Sequence, residues 1–370
     1  MSPRICPESN LGVWGETLVS PLGYGRYPLA GTLELTERCG LNCVHCYINQ
    51  PAGSQMVRQQ EMTTEQVKLV LDKIAESGCL FLEFTGGEPL LRNDFAEIYM
   101  HARRLGMIVT LLTNATMLTP ELADMLAASK PHLVDVTIYG ATKETYESVT
   151  RIPGSFARFI NGLDLLRDRG IRISLKSIIL SKNRHELPVM QQLAEKYGCE
   201  LRYDGILWPR IDGGEAPYPY RLAPQELIEM DLENPKRVEE WKLQADLFKG
   251  QQVRNEYVIS CGAGLRSFHI DSNGLMASCT MVRKPAYNLL EVSFKEAWEK
   301  LGDLRKMKRH VKTVCQTCTA GPLCSQCPGW SQLIHGDYET PVDYVCEIGM
   351  LRAELFSSVK LELLEEVTHE

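Results

Sequence analysis

No apolar stretch in the 370-residue chain approaches the roughly 20 residues needed to cross a bilayer, so no membrane span and no membrane partner are expected. The N-terminal text MSPRICPESNLGVWGE has no basic stretch followed by an apolar one, so no export signal is read and a cytoplasmic location is expected. An excess of positive charge is also missing: 40 Lys and Arg stand against 47 Asp and Glu, a net charge of −7. A general nucleic-acid binder needs a cationic surface to displace phosphate counterions, so no nucleic-acid partner is expected. Fixed-period repeats and low-complexity tracts are absent as well, which removes solenoid and repeat architectures.

What remains is an ordinary globular composition, 44% hydrophobic and 24% charged, with one unusual component. Thirteen cysteines are present, and in a reducing compartment they read as metal ligands or catalytic groups before disulfides. Three fall at Cys39, Cys43 and Cys46, seven lie between Cys261 and Cys346, and only Cys6, Cys79 and Cys199 stand apart.

The length exceeds that at which one hydrophobic core keeps growing, so a large domain and a smaller one are expected. From residue 31 to 207, short apolar runs alternate with helical patterns. The candidate strands are Gly31 to Thr36, Leu80 to Phe84, Ile108 to Leu112, Val134 to Tyr139, Ile171 to Ile179 and Glu200 to Leu207. Between them, TTEQVKLVLDKIAESG and NDFAEIYMHARRLG repeat apolar residues at three and four positions behind the cap-competent Thr63 and Asn93. Repeated βα units imply parallel strands with helices outside. Six units are too few for a closed eight-stranded barrel, so the expected fold class is α/β, a partial (β/α)6 TIM-like barrel.

Residues 1–30 are read as an N-terminal extension, and 208–256, with the Pro- and Gly-rich WPRIDGGEAPYPYRLAP, as a bridge. In residues 257–346 cysteines replace part of a hydrophobic core, and 347–370 read as a C-terminal helix centred on Met350 to Glu366.

The first cysteine group, in the text Glu34-Leu-Thr-Glu-Arg-Cys39-Gly-Leu-Asn-Cys43-Val-His-Cys46-Tyr47, follows the first candidate strand. Three thiolates on one loop can hold three irons of a cubane cluster and leave the fourth iron open to a chelating ligand. A zinc ion that borrows His45 or a distant ligand is the alternative.

The Cys39, Cys43, Cys46 and Tyr47 text resembles the cluster loop of the radical S-adenosylmethionine (radical SAM) superfamily. In that family a Gly-Gly-Glu-Pro element ends the second strand and binds the methionine end of the cofactor; Thr85, Gly86, Gly87, Glu88 and Pro89 stand in that place here. Loops at the C-terminal ends of the strands nominate Asn114, Thr137, Tyr139, Lys176 and Asp204. Thr137 sits where the family often has Ser or Thr, and Arg151 matches an Arg that contacts the cofactor carboxylate. Lys176 interrupts the apolar run ISLKSIIL and would be costly to bury without an anion, so it faces the cofactor or substrate, or else snorkels; Asp204 is either a hydrogen-bonding or proton-transferring acid or a turn residue, and with Tyr139 these are the catalytic candidates.

The later spacing, Cys261 and Cys279, then Cys315, Cys318, Cys324 and Cys327, then Cys346, resembles the SPASM extension of radical SAM enzymes, which carries auxiliary iron–sulfur clusters. The last short gap has two residues where the usual pattern has three. By that resemblance Cys315, Cys318, Cys324 and Cys346 hold an outer cluster, and Cys261, Cys279 and Cys327 an inner one that lacks a fourth cysteine. Structural zinc is the alternative on spacing alone.

The resemblance implies reductive cleavage of S-adenosylmethionine to a 5′-deoxyadenosyl radical that abstracts hydrogen from a substrate. A ribosomally synthesised peptide is the first expectation, with a crosslink, thioether or epimerised residue as product, and a small-molecule or cofactor-maturing reaction the second. The electron donor would be a flavodoxin or ferredoxin. Residues 1–30 are too few for the leader-binding module of many peptide-modifying relatives, so a partner or the bridge is expected to recognise a leader. An iron–sulfur electron carrier without a substrate is the remaining alternative. Anaerobic metal analysis should find iron and acid-labile sulfide in excess over zinc; zinc alone would refute the cluster reading.

Overall fold

The alternating apolar and polar runs of the first 207 residues build one parallel sheet. A computed structural model describes residues 25–48, 50–247, 256–310, 313–316, 318 and 320–356. In it the strands are β1 (Ala30–Glu34), β2 (Phe81–Thr85), β3 (Ile108–Thr113), β4 (Leu133–Thr137), β5 (Ile173–Ile178) and β6 (Leu201–Asp204). Each pairs in parallel with the next. The helices α1 (Thr64–Glu76), α2 (Phe95–Arg104), α3 (Pro120–Ala128), α4 (Lys143–Thr150), α5 (Ser155–Asp168) and α6 (Leu187–Lys196) connect or follow these strands. This is the expected partial barrel, and its strand order follows the sequence because each crossover returns beside the strand it left.

The alternation sorts the two faces of each strand. Leu82 and Phe84 of β2, Val109 and Leu111 of β3, and Val134 and Val136 of β4 are fully buried in the same core as Val67, Val70, Leu71 and Ile74 of α1. The opposite face is polar: Glu83 and Thr85, Thr110, Asp135 and Thr137, Lys176, and Arg202 and Asp204 follow one another across the sheet. Register puts Thr137 beside Lys176 and Lys176 beside Arg202 in one row, with Ile178 beside Asp204 in the next row toward the C-terminal ends.

Thr63 caps α1 as its sequence implies, in a reciprocal box with Gln66 at 3.3 and 2.9 Å. Asn93 does not cap α2. Asp94 holds that position, and its carboxylate serves Arg92 at 2.8 and 2.6 Å and the Thr64 hydroxyl at 2.6 Å.

The bridge contributes α7 (Pro224–Leu232) and α8 (Pro235–Leu247). Three further strands follow, β7 (Ser267–Ile270), β8 (Leu275–Ala277) and β9 (Tyr287–Asn288). β7 lies parallel to β1, with β8 and β9 added antiparallel, so the sheet has nine strands in the order β9-β8-β7-β1-β2-β3-β4-β5-β6. The cysteine-rich region therefore continues the sheet of the barrel. Its helices are α9 (Phe294–Arg305), α10 (Pro328–His335) and α11 (Asp343–Phe356). The expected terminal helix starts earlier than Met350, so Cys346 is inside it; residues 357–370, like 1–24 and Cys6, lie outside the described residues. No helix among the described residues is long and apolar enough to cross a membrane.

One buried ion network ties α11 to the bridge. Asp231 of α7 is 0% exposed; Arg352 of α11 approaches its Oδ2 with Nε at 3.0 Å and Nη2 at 2.9 Å, and Arg237 of α8 approaches Oδ1 at 2.9 Å. Trp241 stacks 4.0 Å from the Arg352 guanidinium. Asp231→Ala strands Arg352, itself 2% exposed, and should cost about 3–5 kcal/mol by chemical denaturation, while adding Arg352→Met should recover part of the loss. Equal midpoints for wild type and Asp231→Ala would show that the network does not hold α11.

Candidate active site

Between β1 and β2 the chain turns through Cys39, Cys43 and Cys46, and this loop is tied down at several points. At its root Arg38 forks onto Glu61, Nε to Oε1 at 2.8 Å and Nη2 to Oε2 at 2.9 Å. In its middle, Asn42 N and Val44 N donate to Thr150 O and Val149 O at the end of α4, both at 3.0 Å. On leaving, the carbonyls of Cys46 and Ile48 accept from Arg210 of the bridge at 3.3 and 3.1 Å, and Tyr47 O accepts from Ile211 N at 3.1 Å.

The loop forms one wall of a cavity of about 460 Å³. Of the residues nominated from sequence, Cys39, Cys43, Cys46, Tyr47, Thr85, Gly86, Gly87, Asn114, Thr137, Tyr139, Lys176 and Asp204 all line it. Cys39 Sγ accepts from Leu41 N at 3.3 Å and from Asn114 Nδ2 at 3.5 Å. Burial, with Glu88 and Cys46 nearby, pushes the Cys39 thiol up to about 12, and burial holds the Cys43 thiol well above its ordinary value. Three convergent thiols are the donor set that iron takes, and the cavity holds them beside open space, so the residues fit a cluster with one ligand position left over. Among the described residues no three His, Cys, Asp or Glu side chains close on a single ion; in a multi-iron cluster each thiolate binds its own iron.

Three of the nominated features have partners within the protein itself. The two glycines of the Gly-Gly-Glu-Pro turn are required by the cysteine loop as well as by any ligand. A Cβ on Gly86, whose φ is +142°, would lie 2.1 Å from Thr36 O, and one on Gly87 2.4 Å from Arg38 O. In this close packing Gly87 N donates to Thr36 O at 2.7 Å and Glu88 N to Arg38 O at 2.9 Å. Glu88 and Pro89 do not line the cavity. The Glu88 carboxylate is 0% exposed and accepts from Leu90 N at 3.1 Å, Thr113 Oγ1 at 2.7 Å and Asn114 N at 2.9 Å. Burial raises its carboxyl to about 7 against the pull of these donors. Glu88 thus fixes the ends of β2 and β3 to each other. Arg151 lies outside the cavity lining, in left-handed conformation at the end of α4, and its Nε and Nη2 donate to Asn42 O at 2.7 Å and Asn42 Oδ1 at 3.1 Å. It braces the cysteine loop from behind.

The other nominees divide by role. Tyr139 packs 5.3 Å from His45 and 5.5 Å from Tyr146. Lys176 Nζ stands 3.5 Å from Asp135 Oδ2. Asp204 lines the rim while its Oδ1 accepts from Ile206 N at 2.9 Å, so it is both a cavity and a turn residue.

His45, named from sequence only as a ligand that zinc would borrow, lines the cavity, and burial lowers it to about 4, keeping it neutral. Other residues were not nominated. Arg202 lines the wall opposite the cysteine loop; the alternation in LRYD, which puts Arg202 and Asp204 on one face, was its signal. Glu34, inward-facing on β1, receives Arg283 at 2.6 and 3.1 Å, with His269 Nε2 at 3.6 Å and the Tyr47 hydroxyl at 3.5 Å. Burial alone would raise this carboxyl, but His269 and Arg283 outweigh it and hold it at about 2. Arg283 lies four residues after Cys279, so the pair joins the first cysteine loop to the second cysteine group.

That second group is divided in space. Cys327 feels the charge of Cys279 and Cys261, whereas Cys324 and Cys346 feel those of Cys315 and Cys318. Cys279 Sγ accepts from Val282 N at 3.2 Å and Cys346 Sγ from Gln326 Nε2 at 3.2 Å. Three thiols thus gather near β8 and α10, and four around the start of α11. Cys199 stays apart, its thiol 3.5 Å from Ala194 O.

This geometry has counterparts. A profile described as the radical SAM superfamily matches residues 33–193. An AdoMet-dependent heme synthase of Methanosarcina barkeri is 29% identical over 82% of this chain and 92% of its own. The subtilosin biosynthesis protein AlbA of Bacillus subtilis is 28% identical over 70% of this chain and 56% of its own. Among solved structures, Streptococcus suis SuiB bound to the precursor peptide SuiA superposes with a TM-score of 0.61 at 15% identity, over 88% of this chain and 78% of that one, a likeness of fold. Residues 33–193 thus carry a radical SAM domain, and the chain is an enzyme that uses S-adenosylmethionine and a four-iron, four-sulfur cluster.

Proposed function

We propose that Cys39, Cys43 and Cys46 ligate the cluster that cleaves S-adenosylmethionine, and that the radical so released abstracts hydrogen from a ribosomally synthesised peptide. The observation that carries the first part is the cavity itself, which is lined by the three thiols together with Thr85, Gly86 and Gly87. When bound, the cluster supplies one electron that breaks a carbon–sulfur bond of the sulfonium. The rest is the work of the chain. Arg38, Arg151 and Arg210 hold the cysteine loop rigid, Glu88 aligns the turn that faces it, and the buried thiols and aromatic rings exclude water that would quench a radical. A flavodoxin or ferredoxin is the proposed electron donor. The groups Cys261, Cys279, Cys327 and Cys315, Cys318, Cys324, Cys346 are the proposed ligands of two auxiliary clusters; their separation into three and four thiols supports that division.

The relationship to AlbA, whose name records bacteriocin biosynthesis, supports a peptide substrate, with a crosslink, thioether or epimerised residue as product. A second reading has its own support: the heme synthase relationship spans most of both chains, which favours a small macrocyclic substrate. Mass spectrometry of an anaerobic reaction with S-adenosylmethionine, reductant and peptides encoded beside the gene decides between them. A peptide mass shift is expected; unchanged peptides together with turnover of an iron porphyrin would replace the peptide reading. Glu88→Gln leaves the thiols in place but puts an amide among the Leu90, Thr113 and Asn114 donors. It should keep the iron content and lower 5′-deoxyadenosine formation about ten- to a hundredfold, equivalent to about 1–3 kcal/mol for a buried mispaired group.

A further inference from the structure

The wall of the cavity opposite the cysteine loop carries two cations side by side. Lys176 of β5 and Arg202 of β6 are register partners, and both line the cavity. A single carboxylate serves them. Asp135, one row deeper on β4, accepts from Arg202 Nη2 at 2.7 Å and stands 3.5 Å from Lys176 Nζ, longer than an ordinary charge-assisted hydrogen bond. Arg202 Nε reaches Ser174 Oγ at 3.4 Å. Asp135 Oδ1 has no donor, and the side chains of Lys176 and Arg202, 31% and 55% exposed, keep further N–H donors open to the cavity. Two other acids face the pair. Asp204 stands one row nearer the rim with Oδ1 engaged by Ile206 N, and Glu83 of β2 has a carboxyl that burial raises, which weakens it as a counter-charge. Burial likewise lowers Lys176, a penalty that an incoming anion would remove.

We propose that Lys176 and Arg202 receive a carboxylate of the substrate. An ammonium and a guanidinium on neighbouring strands offer separate N–H donors to the two oxygens of one carboxylate, with Asp135 behind them fixing both side chains. The pair is a specificity device: it anchors the substrate at β5 and β6 and leaves the space toward the thiol wall for the carbon that loses hydrogen. The inference rests on the proposed function and narrows its substrate to an acid, either a peptide carboxylate or an acid side chain of a macrocycle.

The test uses [1-13C]propionate as probe, titrated into anaerobic, cluster-loaded enzyme and followed by 13C NMR. Saturable binding is expected in the wild type, with none for propionamide. Lys176→Met with wild-type iron content should weaken it at least about tenfold, and Lys176→Arg should keep it within about threefold. Displacement of the probe by a peptide with a free C-terminal carboxylate but not by its amide, or by a porphyrin tetrapropionate but not by its methyl ester, tells the two sources apart. Absence of saturable binding, equal binding by Lys176→Met, or displacement of propionate by S-adenosylmethionine would overturn the proposal, the last by giving the site to the cofactor. Formation of 5′-deoxyadenosine by the same wild-type preparation reports separately on the underlying function.

Discussion

Two backbone hydrogen bonds, from Gly87 N to Thr36 O and from Glu88 N to Arg38 O, press the turn after β2 against the root of the cysteine loop. No side chain larger than hydrogen fits at Gly86 or Gly87 without colliding with the carbonyls of Thr36 and Arg38. The Gly-Gly-Glu-Pro turn and the loop proposed to hold the cluster are thereby one unit. Glu88 then carries the constraint inward. Its buried carboxylate satisfies Asn114 N, and the Asn114 amide in turn reaches the Cys39 thiol, so the ends of β1, β2 and β3 are set by a single chain of contacts.

The same economy links the two cysteine groups. Glu34 lies at the end of β1, and it binds Arg283 from the region of Cys279 while touching Tyr47 beside Cys46. A buried carboxylate with such partners is stable only when all of them are in place, which ties the geometry of one thiol group to that of the other. The parallel pairing of β7 with β1 does the same through the backbone. Arg210 and Ile211 of the bridge close the remaining side of the loop.

Much of this was legible in the sequence, because strand alternation, the CxxxCxxC spacing and the Gly-Gly-Glu-Pro turn are local patterns. The six strands, the Thr63 cap and the cavity placement of Asn114, Thr137 and Lys176 follow from periodicity and from the rule that strand ends carry sites. What was not legible depends on distant pairing. That Glu88 and Arg151 turn away from the cavity, one to Asn114 and the other to Asn42, is decided by partners 26 and 109 residues away in sequence. The extension of the sheet by β7 was hidden because parallel pairing leaves no hairpin signal. Arg202 was passed over because its partner, Asp135, lies 67 residues earlier.

The central claim is that the thiols of Cys39, Cys43 and Cys46 hold the cluster that cleaves S-adenosylmethionine. The direct measurement is 5′-deoxyadenosine formed by anaerobically reconstituted wild type and by Cys39→Ala/Cys43→Ala/Cys46→Ala under the same strong reductant. Formation by the wild type and none by the triple variant, with iron retained at the second cysteine group, is the predicted result. Undiminished formation by the triple variant would contradict it.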